Sequence, residues 1–295
     1  MHTVEQNKAQ VLVDALSYIQ KFHGDIVVIK YGGSAMTNEV IKHSVLKDIA
    51  VLKSVGIKPV IVHGGGNDIN GWLKKVDIKS EFKNGLRVTD KETLEVAEMV
   101  LSGKINKGLV QHMERIGTHA VGLSGKDGNM ITVKKAMPKG DDIGYVGEII
   151  NVDVTLLETL LEKDYTPIIS TVGLDSKYNA FNINADDVAT GVARALKASK
   201  LVFLTDIEGV LRNPSDPSTR ISVINTESAA ELFEQGIITG GMIPKLKNCL
   251  EAVQEDVKKV HILDGRLEHS LLIEIFTTSG VGTEIKNKGL EPLFF

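Results

Sequence analysis

A mainly parallel β-sheet covered by helices on both faces, a three-layer α/β/α sandwich, is the fold class predicted by this sequence. Three observations carry that expectation. Strand-length apolar runs alternate with segments of helical spacing along nearly the whole chain. The runs Ile26-Val27-Val28-Ile29, Pro59-Val60-Ile61-Val62 and Leu201-Val202-Phe203-Leu204 are apolar throughout, as strands buried on both faces must be. Each also delivers glycine or a polar residue to the turn that follows, where α/β sheets bind their ligands.

Taken in order, Val11, Leu12, Ala15, Leu16, Ile19 and Phe22 form an apolar stripe at helical spacing, ahead of a first strand over 25–31. A helix over 37–55, with Thr37 as its N-cap and Gly56 as its stop, leads to a strand over 59–63 and a short helix through Trp72. The loop 84–88 precedes Thr89-Asp90-Lys91-Glu92, whose spacing is that of a capping box. Two helices to Gly117, a strand over 119–123 and a candidate hairpin of 130–134 with 145–152 come next. A helix over 155–163, a buried strand over 166–172 and a helix over 185–198 follow. The chain then reads as strand 201–205, helices 228–235 and 242–255, strand 260–263 and helix 269–276. A boundary near Lys197 to Lys200 splits the body into 25–197 and 198–295, after an N-terminal helix over 1–24.

Composition narrows the class of function. The 295 residues suffice for one large or two modest domains, and 42% hydrophobic with 24% charged residues is ordinary for a globular enzyme. No apolar stretch is long enough for a transmembrane helix, and Met1-His2-Thr3-Val4-Glu5-Gln6 lacks the pattern of a secretory signal, so a cytoplasmic protein is expected. A lone cysteine, Cys249, excludes an intrachain disulfide and a cysteine-rich metal site, and is expected to pack, as is Trp72. A net charge of −4 argues against a general nucleic-acid binder. The sequence holds no G-x-x-x-x-G-K-[ST] loop, H-E-x-x-H, C-x-x-C or G-x-S-x-G motif.

Chemistry concentrates in the glycine-bearing turns. Lys30-Tyr31-Gly32-Gly33 places a lysine at the end of a buried strand, where an anion would offset its desolvation; alone, a snorkelling lysine reads as well. His63-Gly64-Gly65-Gly66 has more glycine than a tight turn needs, which suggests backbone lying against a ligand, with His63 itself structural. Arg87 has the planar fork of a carboxylate clamp, although an isolated surface arginine is the simpler reading. Asn182-Ile183-Asn184-Ala185-Asp186 carries more polar groups than one N-cap requires; Asp186 is a candidate to hold a lysine or to help organise Mg2+. Gly240-Gly241-Met242-Ile243-Pro244-Lys245 opens a helix whose N-terminus and lysine favour developing negative charge. The run from Gly122 to Gly128 reads equally as a hairpin or as a wall of the same crevice.

Together these motifs resemble the amino-acid kinase family over nearly the whole chain. The block Gly85 to Lys107, with Thr93-Leu94-Glu95-Val96-Ala97-Glu98-Met99-Val100-Leu101, is similar to the members that act on N-acetylglutamate. The resemblance implies ATP-dependent phosphorylation of the γ-carboxylate of N-acetyl-L-glutamate in arginine biosynthesis, with Mg2+ accompanying ATP. It implies that Lys30 and Lys245 flank the transferred phosphoryl and that Asp186 orients both. Gly32, Gly33, Gly64 and Gly65 become backbone donors to the phosphates and the acceptor. Arg87 becomes the clamp on the α-carboxylate, with Asn182 and Asn184 holding the remainder, and Thr205 and Asp206 approach the nucleotide. A carboxylate acceptor is already ionised at neutral pH, so the lack of an evident general base fits.

The chain ends extend the resemblance to the arginine-inhibited members. The N-terminal helix with Tyr18 is similar to an arm that joins dimers into a hexamer. Tyr18, His261, Glu274, Gly280 and Gly282 correspond to an L-arginine site, with Glu274 facing the guanidinium. Asp187 and Ser279 depart from common patterns, which bears on inhibitor affinity. The resemblance leaves open whether a PII-type signalling protein binds. Two rival readings are another carboxylate or carbamate kinase of this fold and a non-catalytic arginine sensor; retention of both Lys30 and Lys245 argues against the sensor.

Overall fold

A computed structural model describes residues 4–36 and 38–287. The chain runs α1 (Val4–Phe22), β1 (Ile26–Tyr31), α2 (Glu39–Ser54), β2 (Lys58–His63), α3 (Gly66–Lys75), β3 (Phe82–Lys83), β4 (Leu86–Arg87) and α4 (Lys91–Glu98). A π-helical segment, Met99–Ile105, joins α4 to α5 (Asn106–Arg115). Then come β5 (Ala120–Ser124), β6 (Ile131–Lys135), β7 (Val146–Val152), α6 (Thr155–Glu162), β8 (Thr166–Ser170), β9 (Val172–Leu174), β10 (Ala180–Ile183) and α7 (Ala185–Ala195). The chain continues through β11 (Lys200–Thr205), β12 (Val223–Asn225), α8 (Thr226–Glu234), α9 (Met242–Gln254), β13 (Lys259–Asp264), α10 (Ser270–Phe276) and β14 (Thr283–Lys286).

The central sheet has eight strands in the order β12-β14-β13-β11-β1-β2-β8-β5, and only the β13–β14 pair is antiparallel. Its strands feed two separate cores by alternation. Val28, Val60, Val62, Leu201 and Phe203 pack with α6, α7, α8 and α9. Val27, Ile29, Ile61, Val202 and Leu204 pack with α2, α3, α5 and α10. Helices therefore cover both faces, and the expected three-layer α/β/α sandwich is what forms. β1 is the seam: β2 continues the sheet on one side and β11 on the other. Such a switch point leaves a crevice beyond the strand ends.

Several local expectations are corrected. Asn38 caps α2, accepting from the amides of Val40 and Ile41; Thr37 lies outside the described residues. Asp90, not Thr89, caps α4 by accepting from Thr93 N–H at 2.8 Å, while buried Thr89 donates its hydroxyl to Arg87 O. The loop 84–88 is a hairpin turn, with Asn84 and Gly85 at φ of 53° and 80°, the left-handed pair that a two-residue connection needs. The strand expected over 166–172 breaks at Thr171, and its second half joins β10, β7 and β6 in a small closed barrel. Trp72 is 40% exposed beneath the Lys75 ammonium rather than packed inside, whereas Cys249 is buried as expected.

No helix among the described residues is long and apolar enough to cross a membrane. Ile61, fully buried at the sheet centre, should lose about 2–5 kcal/mol of stability on truncation to alanine. Asn38→Ala, which removes a cap, should cost only about 1 kcal/mol. Urea unfolding of the two variants would contradict this account if the cap proved the costlier loss.

Candidate functional site

The crevice at the β1 seam holds a cavity of about 370 Å3. Nine of the residues expected in the site line it: Lys30, Gly32, Gly33, Gly64, Gly65, Arg87, Asn182, Asn184 and Asp186. Lys30 is the penultimate residue of β1, and Asp186 sits in the first turn of α7, which packs across β1. The Asp186 carboxylate bridges two ammonium groups, with Lys30 Nζ 3.1 Å from Oδ1 and Lys245 Nζ bonded to Oδ2. Lys245 arrives from the first turn of α9 and also lies 5.1 Å from the centre of the Phe203 ring. Burial pushes the Asp186 carboxyl up, but the two ammonium groups outweigh it and hold it below its ordinary value. One anion against two cations leaves this end of the cavity with one positive charge in excess.

Glycine is required here for reasons of space. A side chain at Gly32 would meet Lys30 Nζ at 3.1 Å, and Gly33 has φ of 70°. A side chain at Gly65 would strike Ile105 and Leu101, which the π-helical segment brings beneath the turn. The main chain narrows one expectation: Gly64 N–H already donates to Tyr31 O at 3.2 Å. Gly65 N–H has no partner among the described residues, and the first turn of α3 begins there without a side-chain cap, an arrangement that suits an anion.

Arg87 closes the opposite end. It is only 7% exposed, with Nη1 donating to Ser80 Oγ at 2.5 Å and Nη2 to Gly66 O at 3.2 Å, beneath the Phe82 ring. No carboxylate pairs with it among the described residues. A buried guanidinium without a counterion is costly and awaits an anion. Asn184 caps α7, accepting from Asp186 N–H at 2.8 Å, which leaves its amide nitrogen for a ligand. Asn182 presents from β10 on the barrel side.

Three residues expected in this site lie outside the cavity lining: Thr205, Asp206 and Lys245, the last of which reaches it through Asp186. Thr205 and Asp206 follow the end of β11, where the Thr205 hydroxyl accepts from Ile207 N–H at 3.1 Å and shapes the turn. Gly122 to Gly128 also lies apart, with Gly125 against Val172 O and Ile131. The sequence reading missed Leu101, Ile105 and Thr171, because an apolar or hydroxyl residue at helix or strand spacing carries no mark of a ligand. As for Mg2+, both oxygens of Asp186 are occupied and Asp68 pairs with Lys104. The donors suit a magnesium ion carried on nucleotide phosphates and water rather than one caged by protein carboxylates.

The second constellation also comes together. His261 on β13 lies 2.7 Å from Glu274 Oε1 on α10, and Glu274 Oε2 accepts from Val281 N–H at 2.7 Å and Gly282 N–H at 3.0 Å. Gly280, with φ of 55°, leaves room for that carboxylate. Tyr18 stays on α1, 6.4 Å from the Phe22 ring, and no hydrogen bond joins it to Glu274. Burial pushes Glu274 up, but these three hydrogen bonds prevail and pull it down to about 2. Its folded pKa is depressed, so its stabilisation is complete above the ordinary 4.5 and is lost as pH falls toward about 2. Glu274→Gln should therefore flatten the acid limb of a stability-versus-pH curve between those values; an unchanged limb would contradict the assignment.

Comparison with known proteins agrees with this geometry. Residues 25–264 match the model of the amino acid kinase family. The acetylglutamate kinase of Caldanaerobacter subterraneus subsp. tengcongensis is 52% identical over 278 residues, spanning 94% of this chain and 93% of that protein. The acetylglutamate kinase of Campylobacter jejuni strain RM1221 is 54% identical over 276 residues, spanning 94% and 97%. Among solved structures, the N-acetylglutamate synthase of Neisseria gonorrhoeae, complexed with coenzyme A and N-acetyl-glutamate, superposes with a TM-score of 0.82 at 26% identity. That alignment covers 94% of this chain but only 63% of the synthase. On its folded core, its lysine-bridging aspartate and these relatives, the chain belongs to the amino acid kinase family.

Proposed function

We propose that the chain is an acetylglutamate kinase, transferring the γ-phosphoryl of ATP to the γ-carboxylate of N-acetyl-L-glutamate. The observation that carries this reading is the division of charge in the cavity. Asp186 with Lys30 and Lys245 occupies one end and the unpaired Arg87 the other. A substrate with two carboxylates spans such a site: Arg87 takes the α-carboxylate and the γ-carboxylate meets the phosphoryl between the lysines. Relatives above 50% identity that bear the same activity in their names support the choice of substrate.

The chemistry needs alignment and neutralisation, not proton removal, because the attacking carboxylate is already ionised. Its oxygen attacks the γ-phosphorus as the bond to the bridging oxygen of ADP breaks. Lys30 and Lys245 neutralise the oxygens of the phosphoryl in flight, and Asp186 fixes the spacing between them. Magnesium, when bound with ATP, supplies further neutralisation of the phosphate oxygens. Residues 25–197 would form the amino-acid lobe and residues 198–295 the nucleotide lobe, with Thr205 and Asp206 bordering ATP.

L-Arginine is the proposed inhibitor, bound where Glu274, His261, Gly280 and Gly282 converge, with Tyr18 of α1 as a further contact to the ligand. The buried, ionised Glu274 supports a guanidinium ligand. The outward Val11, Val13 and Leu16 of α1, each at least half exposed, support a second copy as their cover and so an oligomer. A cytoplasmic enzyme of arginine biosynthesis would follow from the substrate.

Coupled ADP detection with N-acetyl-L-glutamate, aspartate, glutamate and carbamate tests the substrate. Turnover with one of the others but not with N-acetyl-L-glutamate would sink the proposal. Arg87→Ala should raise KM for the carboxylate substrate about 10- to 100-fold while leaving that for ATP within about twofold. Lys245→Met should abolish turnover yet leave arginine-induced thermal stabilisation in place; full activity would remove the lysine from the mechanism.

A further inference from the structure

One buried histidine at the cavity has a more specific job than packing. Asn106, at the start of α5 and 1% exposed, turns its amide nitrogen toward Ile168 O at 2.8 Å, Leu123 O at 3.2 Å and His63 Nε2 at 3.1 Å. Two carbonyl oxygens can face only the donor end of an amide, so its orientation is determined. The other ring nitrogen of His63, Nδ1, faces the Gly64 carbonyl, which can only accept, so a neutral imidazole carries its proton on Nδ1 and turns the bare Nε2 toward the Asn106 amide. Nδ1 lies 3.0 Å from Gly64 O and donates to it. Burial keeps the ring neutral by lowering its pKa to about 4. The peptide from Gly64 to Gly65 is trans, so its carbonyl and its N–H point in opposite directions. Drawing Gly64 O to the imidazole turns the Gly65 N–H away from it.

We infer that His63 is a positioning residue, which through the Gly64 carbonyl aims the Gly65 N–H at the reacting carboxylate and phosphoryl. The inference rests on the kinase reading above and adds a residue that touches neither substrate. It also gives Gly122 a purpose. A side chain there would strike the Asn106 amide oxygen, which is buried without a hydrogen-bond partner among the described residues, and would approach Lys107 Nζ at 2.9 Å. Gly122 is not in the left-handed region, so a methyl group at that position acts through these two contacts, of which that with buried Asn106 is the closer, and not through backbone strain. The relay thus runs from Gly122 and Asn106 to His63, the Gly64 carbonyl and the Gly65 amide.

The test uses the full chain and three variants: His63→Leu, His63→Asn and Gly122→Ala. His63→Leu removes the donor, whereas His63→Asn places an amide N–H where Nδ1 stood. Both His63→Leu and Gly122→Ala should lower kcat/KM for N-acetyl-L-glutamate about tenfold or more, with KM for ATP within about twofold. His63→Asn should recover most of that loss. A fall in melting temperature alone, or an asparagine variant as impaired as the leucine variant, would overturn the inference. Should the wild-type chain not phosphorylate N-acetyl-L-glutamate, the substrate reading fails, and nuclear magnetic resonance still decides the relay. His63 should then show the neutral tautomer protonated on Nδ1, and the Gly65 amide resonance should move in His63→Leu and Gly122→Ala. A protonated Nε2, or an unmoved Gly65 amide, would refute it.

Discussion

The triad of Asp186 with Lys30 and Lys245 is the contact on which the rest of the site depends. Two ammonium groups brought this close repel each other in a partly dry crevice, and a bare carboxylate there would be costly as well. Each cost is met by the other partner. The triad also ties three elements that lie far apart in the chain: β1, the start of α7 and the start of α9. Because one carboxylate serves two cations, an uncompensated charge remains, and Arg87 adds another across the cavity. The folded chain therefore carries a standing deficit of negative charge in this cavity, although its net charge is −4.

The sheet explains why such distant residues can meet. β1 receives β2 on one flank and β11 on the other, so elements from both halves of the chain end beside Lys30. The two cores on opposite faces then hold the covering helices in place, and α7 and α9 lie in the same core beneath the triad. Rigidity of the site follows from strands buried on both sides rather than from the glycine turns themselves. Those turns contribute closeness of approach and free amides.

Much of this was legible in the sequence. Unbroken apolar runs such as Val27 to Ile29 and Leu201 to Leu204 mark doubly covered strands, and these formed with small shifts at their ends. The surplus of polar groups around Asp186 marked it out, since capping uses only Asn184. Short elements were not legible: β9, β10, β12 and β14 have few residues, and their pairing depends on neighbours distant in sequence. The Thr89 reading failed because Asp90 offered an equally good cap one residue later and Thr89 was drawn inward to Arg87 O. The setting of Arg87 could not be read from its surroundings in sequence, because what distinguishes it is three-dimensional: a buried guanidinium with no carboxylate partner among the described residues. Thr205 and Asp206 lie outside the cavity lining, at the end of β11, and only the resemblance implies a part for them in nucleotide binding.

The π-helical segment Met99–Ile105 carries a consequence for how this family can vary. Its wider turns hold one residue more than an α-helix would over the same rise. Deleting a single residue there would restore an ordinary helix and leave no gap in the main chain. Because the extra residue is taken up inside the wide turns, α5 and the elements after it would keep their places. Asn106 would stay against His63, and what would change is which side chains of the segment lie beneath Gly65, where Leu101 and Ile105 now sit. A one-residue change of length in this stretch is thus a local change in the floor of the glycine turn, and not a displacement of the helix that follows.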